Sequence, residues 1–130
     1  MIESKLNLTV LVVDDNQINQ LLLKKVLDKW GVISDFASDG LEAVEKITTN
    51  LYYDAVLMDI YMPQMDGLVA TRKIRENSSP YFQNIPIIAL TASMMTSELN
   101  EIEASGMNDF IIKPFDTQVL FNKLSIYQKV

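Results

Sequence analysis

Short runs of consecutive apolar residues alternate along this chain with stretches in which apolar positions recur every three or four residues. The sharpest run is Tyr53-Asp54-Ala55-Val56-Leu57-Met58-Asp59. It ends abruptly in a carboxylate, and Ile60-Tyr61-Met62-Pro63-Gln64-Met65-Asp66-Gly67 then breaks away as a loop. A short apolar run bounded by turn residues reads as a strand buried on both faces, the kind found in parallel sheets. Residues 8–13, 32–37, 85–90 and 110–112 read as four further strands, with Pro86 tolerable only at the start of its own. The stretches between them predict helices. The first carries Ile18, Leu21, Leu22, Val26 and Leu27 and ends at Trp30, with Gly31 just beyond. The second starts at Ser38-Asp39-Gly40 and is marked by Leu41, Val44 and Ile47. Asp66 caps a third with Leu68, Val69 and Ile74. A fourth runs near residues 97–105 and closes at Gly106, and Asp116 caps a last one with Val119, Leu120, Leu124 and Tyr127. Residues 76–84 form the longest loop.

Five strand–helix alternations predict an α/β fold with a parallel sheet, helices on both faces and right-handed crossovers. At 130 residues, with no repeat and no linker-like stretch, the expectation is one domain spanning 1–130, its core about 8–127. In such a fold the carboxyl edge of the sheet is where ligands bind. Asp14 and Asp15 stand at the end of the first strand, Asp59 at the end of the third, Thr91 after the fourth and Lys113 after the fifth. Each has an ordinary reading alone. Acids collect at helix starts, a threonine suits a strand, and a lysine is a solvated charge. Asp59 fits such a reading least, because it closes the run Ala55-Val56-Leu57-Met58 without a capping role.

Composition narrows the chemistry. The chain has no histidine and no cysteine, which excludes a Ser-His-Asp triad, imidazole and thiolate metal sites, disulfides and cysteine nucleophiles. A net charge of −6 argues against nucleic-acid and anionic-membrane surfaces. No apolar run approaches the ~20 residues that span a bilayer, and the N-terminus lacks the order of a signal peptide, so a cytoplasmic location is expected. Three clustered carboxylates raise one another's pKa unless cations offset them. Lys113 is one such cation. The other expected here is Mg²⁺, which prefers oxygen ligands and works with phosphate. One carboxylate beside a metal, an ammonium and a hydroxyl is a candidate phosphoryl acceptor.

These residues resemble the receiver domain of two-component response regulators over nearly the whole chain. Val12-Val13-Asp14-Asp15-Asn16 resembles its acidic pair, and the segment from Met58 through Gly67 its phosphoacceptor strand and loop. Ile87-Ile88-Ala89-Leu90-Thr91-Ala92 resembles its switch-threonine strand, and Asp109-Phe110-Ile111-Ile112-Lys113-Pro114-Phe115 its lysine motif. The resemblance implies a flavodoxin-like (CheY-like) doubly wound five-stranded parallel sheet in order 2-1-3-4-5. It implies that Asp59 is phosphorylated, and that Asp15, Asp59 and the Tyr61 backbone carbonyl bind Mg²⁺ directly while Asp14 does so mainly through water. Thr91 and Lys113 would contact the phosphoryl group. Phe110 would be the rotating aromatic switch, working by packing alone because it lacks a tyrosine hydroxyl. Tyr61 and Ser93 would tune hydrolysis of the acyl phosphate.

The implied donor is a histidine kinase or a histidine phosphotransfer protein, since this chain has no histidine to phosphorylate. A downstream protein would bind the fourth helix, fifth strand and fifth helix, with the domain a monomer or a phosphorylation-dependent dimer. Such a domain catalyses its own phosphorylation and dephosphorylation without being a conventional turnover enzyme. Asp14-Asp15-Asn16-Gln17-Ile18-Asn19 resembles the receivers of hybrid sensor kinases, whereas Met1 and the short ends favour a stand-alone receiver. Among rivals, a phosphatase of the haloacid dehalogenase type needs a second acid where Tyr61 stands. A dinucleotide binder would want a Gly-rich first turn, where this chain has acids that repel a pyrophosphate. A flavodoxin-like cofactor module shares the fold and not the function, and a visible absorbance spectrum distinguishes it. The remaining alternative is a degenerate receiver, an interaction module that is never phosphorylated. The complete set of acids, threonine and lysine argues against it.

Overall fold

The computed structural model describes residues 5–92 and 95–129. Among these are five strands and six helices: β1 (Thr9–Val13), α1 (Gln17–Lys29), β2 (Ile33–Ala37), α2 (Gly40–Thr49), β3 (Ala55–Asp59), α3 (Gly67–Glu76), α4 (Pro80–Asn84), β4 (Ile87–Thr91), α5 (Thr96–Ser105), β5 (Asp109–Ile112) and α6 (Thr117–Ser125). The sheet is wholly parallel, in the order β2-β1-β3-β4-β5. The three central strands are buried at every position, which is why they lack the polar alternation of a one-sided sheet.

Each strand sends alternate side chains to opposite faces, and two cores result. On one face Leu11, Val13, Val56, Met58, Ile87 and Ala89 meet Ala43, Ile47, Leu68, Ile74 and Ile102 from α2, α3 and α5. On the other, Val10, Val12, Leu57, Ile88, Leu90 and Ile111 meet Leu23 and Leu27 of α1 and Leu120 and Leu124 of α6. Each leucine so buried contributes about 1.5–3 kcal/mol relative to exposure. Register then aligns the strand ends: Val13 lies beside Met58, Asp59 beside Leu90 and Thr91 beside Ile112. The residues that follow the strands emerge at one edge.

Capping fixes where the helices begin. Asn16, Asp39, Asp66 and Asp116 each accept backbone N–H groups with a side-chain oxygen, relieving donors that a helix start leaves unpaired. At the far ends Gly31 (φ +74°) and Gly106 (φ +103°) take the left-handed conformation that glycine tolerates.

The apolar positions that mark the helices do not all face the sheet, and one expectation, a loop over 76–84, is corrected. Helix α1 buries Leu23 and Leu27, while Ile18 (69% exposed), Leu21 and Leu22 face outward. The helix carries two apolar stripes, and periodicity alone does not say which one meets the sheet. In α2 the buried positions are Ala43 and Ile47, with Leu41 outside, and Val69 of α3 is likewise exposed. The loop over 76–84 contains the short helix α4, with Pro80 in its first turn and Phe82 buried beneath it. The helix read as the fourth from sequence is therefore α5, and the last one α6.

Candidate functional site

The β1 end delivers Asp14 and Asp15 in succession, with different fates. Asp14 is fully buried, whereas Asp15 is exposed. Asp14 Oδ1 accepts the Asn16 N–H at 2.9 Å, and its backbone carbonyl accepts from Gln20 Nε2 at 2.6 Å. Asp14 Oδ2, equally buried, has no hydrogen-bond partner. Asp59 closes β3, nearly buried, and one oxygen from each of Asp14, Asp15 and Asp59 lies within 4.8 Å of the others. Lys113 leaves the end of β5 and brings its Nζ 3.0 Å from Asp59 Oδ2 and 3.7 Å from Asp14 Oδ2. Thr91, buried at the end of β4, accepts the Lys113 N–H on its backbone carbonyl at 2.8 Å.

The electrostatics of the cluster are unbalanced. Burial pushes the Asp59 carboxyl above the ordinary carboxylate range. The Lys113 ammonium pulls it down but does not cancel the rise, and the charges of Asp14 and Asp15 add to it. One lysine faces three carboxylates, a net negative pocket of oxygen ligands. A buried carboxylate oxygen without a hydrogen bond is costly, and a cation in contact with it removes the cost. With no histidine or cysteine in the chain, the donor set fits a hard divalent ion that retains waters, such as Mg²⁺.

The loop after Asp59 is held close. Gly67 N–H donates to the Ile60 carbonyl at 2.7 Å. A Cβ on Gly67 would overlap the Asp59 carbonyl oxygen and approach Met58 Cγ at 2.9 Å. Gly67 is thus part of how Asp59 is placed, a role its motif position hints at but only the packing reveals. Tyr61, two residues past Asp59, is 64% exposed, and its hydroxyl donates to Glu98 of α5 at 2.6 Å. Glu98 belongs to no motif, and nothing in the sequence pointed to it. Phe110 on β5 packs partly against the first core, and the Lys123 ammonium lies 5.4 Å from its ring centroid. The distance is that of a cation–π contact. Ser93 lies outside the described residues.

The family described as response regulator receiver domain matches residues 10–125. This chain belongs to that family. The receiver is a phosphoacceptor module of phosphorelay signalling. It is 43% identical over 118 residues to the CAI-1 autoinducer sensor kinase/phosphatase CqsS of Vibrio cholerae, covering 91% of this chain and 17% of that protein. The receiver spans less than a fifth of the length of the curated relatives it matches first. Among solved structures, it is similar to the receiver domain of sensor histidine kinase PA1611 from Pseudomonas aeruginosa, at 35% identity and a TM-score of 0.84, covering 93% of this chain and 97% of that one. That structure carries a magnesium ion in its active-site cleft. It is also similar to the receiver domain of Ssk1 from Saccharomyces cerevisiae, crystallised with the histidine phosphotransfer protein Ypd1. The identity there is 28% and the TM-score 0.86, over 95% of this chain and 90% of that one. Among the described residues, no helix is long and apolar enough to cross a membrane.

Proposed function

We propose that this chain is a single, cytoplasmic receiver domain that takes a phosphoryl group onto Asp59 from the phosphohistidine of a histidine kinase or histidine phosphotransfer protein. The observation that carries the reading is the meeting of Asp14, Asp15 and Asp59 within 4.8 Å, with Lys113 Nζ 3.0 Å from the Asp59 carboxylate. Asp14, Asp15, Asp59 and the Tyr61 backbone carbonyl are the residues that would hold Mg²⁺. When bound, the ion supplies positive charge that offsets the carboxylates and the transferring oxygens.

The chain's own residues perform the transfer. An Asp59 carboxylate oxygen attacks the phosphorus. The new O–P bond forms as the P–N bond of the phosphoimidazole breaks, and the electron pair leaves on the ring nitrogen, which remains with the donor. Lys113, already on Asp59 Oδ2, stabilises the negative oxygens as they arrive. The Thr91 hydroxyl then hydrogen-bonds the phosphoryl group, and Phe110 packs into the space that Thr91 leaves. The surface formed by α5, β5 and α6 shifts its affinity for a downstream protein. This is a ligand-driven change in the populations of two existing states.

The test is intact-protein mass after incubation with Mg²⁺ and acetyl phosphate. One phosphoryl group is expected on the native chain, none on Asp59→Asn and none after chelation of Mg²⁺. Absence of any gain, with acetyl phosphate and with a purified phosphorylated histidine phosphotransfer protein alike, would leave the degenerate interaction module as the better reading.

A further inference from the structure

We infer that Glu98 is a positioning residue that latches α5 to the phosphoacceptor loop through the Tyr61 hydroxyl, so that the two elements move as a coupled pair. The inference rests on the reading of Asp59 as the phosphoacceptor, and on geometry that this reading does not use. Tyr61 stands two residues from Asp59 and is mostly exposed, so packing does not hold its ring. Its hydroxyl spans 37 positions of sequence to Glu98 at 2.6 Å, the length of a charge-assisted bond.

The other end of the bond lands on the first turn of α5. The buried side chains of α5 are Ile102 and Ser105, both in its C-terminal half. Ahead of Glu98, Thr96 and Ser97 are exposed. The Glu98 contact ties this first turn directly to the phosphoacceptor loop. Three acidic residues, Glu98, Glu101 and Asp66, lie around Tyr61. Phosphorylation turns the Asp59 carboxylate, with one negative charge, into an acyl phosphate with up to two, a net gain of about one, which disfavours keeping the Glu98 carboxylate close. The latch is closed in the unphosphorylated chain and opposes the phosphorylated one. Opening it by mutation removes that opposition and eases phosphorylation.

The variants Tyr61→Phe, Glu98→Ala, their combination and Glu98→Gln test this through two measurements. The first is amide hydrogen exchange of the α5 first turn in the unphosphorylated protein. The second is the acetyl phosphate concentration giving half-maximal phosphorylation at saturating Mg²⁺. Tyr61→Phe and Glu98→Ala should each speed first-turn exchange about threefold or more and lower the half-maximal concentration by a similar factor, the scale of one hydrogen bond to a charged group at a solvent-facing site. The double variant should match the singles, and Glu98→Gln, which keeps an acceptor, should fall between them and the native chain. Additive effects, or exchange unchanged in Tyr61→Phe, would overturn the latch. Exchange needs no phosphorylation. Failure of the native chain to accept phosphate therefore refutes the phosphoacceptor reading, while the exchange rates still decide whether Tyr61 and Glu98 hold α5.

Discussion

Asp14 shows how far one side chain can be committed to a partner that other residues do not supply. Its Oδ1 is satisfied by the Asn16 N–H, while its buried Oδ2 faces Lys113 at 3.7 Å, beyond hydrogen-bond reach. In Mg²⁺-free buffer Asp14→Asn should therefore raise the urea midpoint, because it removes one of three like charges a few ångströms apart while keeping the oxygen that Asn16 uses. The gain is on the order of 1 kcal/mol. The same variant should lose most of the native response to Mg²⁺. A native chain more stable than the variant without Mg²⁺ would contradict this account. Gly67→Ala makes the opposite point. Its Cβ has no room beside the Asp59 carbonyl, so the β3 end must shift, at about 1–3 kcal/mol and with loss of phosphate acceptance. Asp14, Asp15, Asp59, Thr91 and Lys113 were legible because each follows an apolar run that announces a strand end. Gly67 and Glu98 were not, because the groups that give them a role, the Asp59 carbonyl and the Tyr61 hydroxyl, become neighbours only after folding.

Among the elements, β2 depends most on polar contacts, being an edge strand with no fully apolar face. Its Asp35 accepts the Tyr53 hydroxyl at 2.6 Å and the Lys46 ammonium at 3.3 Å. Burial pushes the Asp35 carboxyl up, but the Tyr53 hydroxyl, the Phe36 N–H and Lys46 outweigh it and hold the group below its ordinary 3.8. A depressed carboxylate contributes stability above its unfolded value, and that stability is lost as pH falls through the folded one. Tyr53→Phe should thus cost about 1 kcal/mol at neutral pH. In urea melts across pH, the gap to the native chain should close as the solution is acidified below about pH 4. A gap that stays constant down to about pH 2 would mean the hydroxyl acts through packing instead. Strand positions were legible from apolar runs alone. The inward stripe of α1 was not, since Ile18 and Leu22 repeat with the same spacing as Leu23 and Leu27, and only the sheet selects between them. Helix α4, at five residues, is too short to show a period.

For the whole molecule, sheet order followed from the family resemblance, since alternation of strands and helices does not by itself say which strands are neighbours. That order puts β1, β3 and β4 side by side and so brings Asp14, Asp59 and Thr91 together. A cation held by the native state alone stabilises it by mass action, about 1.4 kcal/mol at ten times its Kd. Millimolar Mg²⁺ should therefore raise the Tm of the native chain by several degrees, chelation should reverse the rise, and Asp59→Asn should show less of it. An unchanged Tm would argue that the three carboxylates are not a cation site.

One contact far from the carboxylates has a mechanical consequence. Near the amino ends of the strands, the Lys129 N–H donates to the Asn7 carbonyl at 2.8 Å, and Lys129 Nζ reaches Asp54 at 3.2 Å. Asp54 in turn accepts the Thr9 N–H at 2.7 Å. The stretch that leads into β1 and the one that follows α6 are thus buttoned together at the pole opposite Asp59. A tether joined at either side would leave from the same spot, and the domain would swing on it like a bell on a single hook. Its reactive pole would face outward, free to meet a donor from many directions without winding the tether across it.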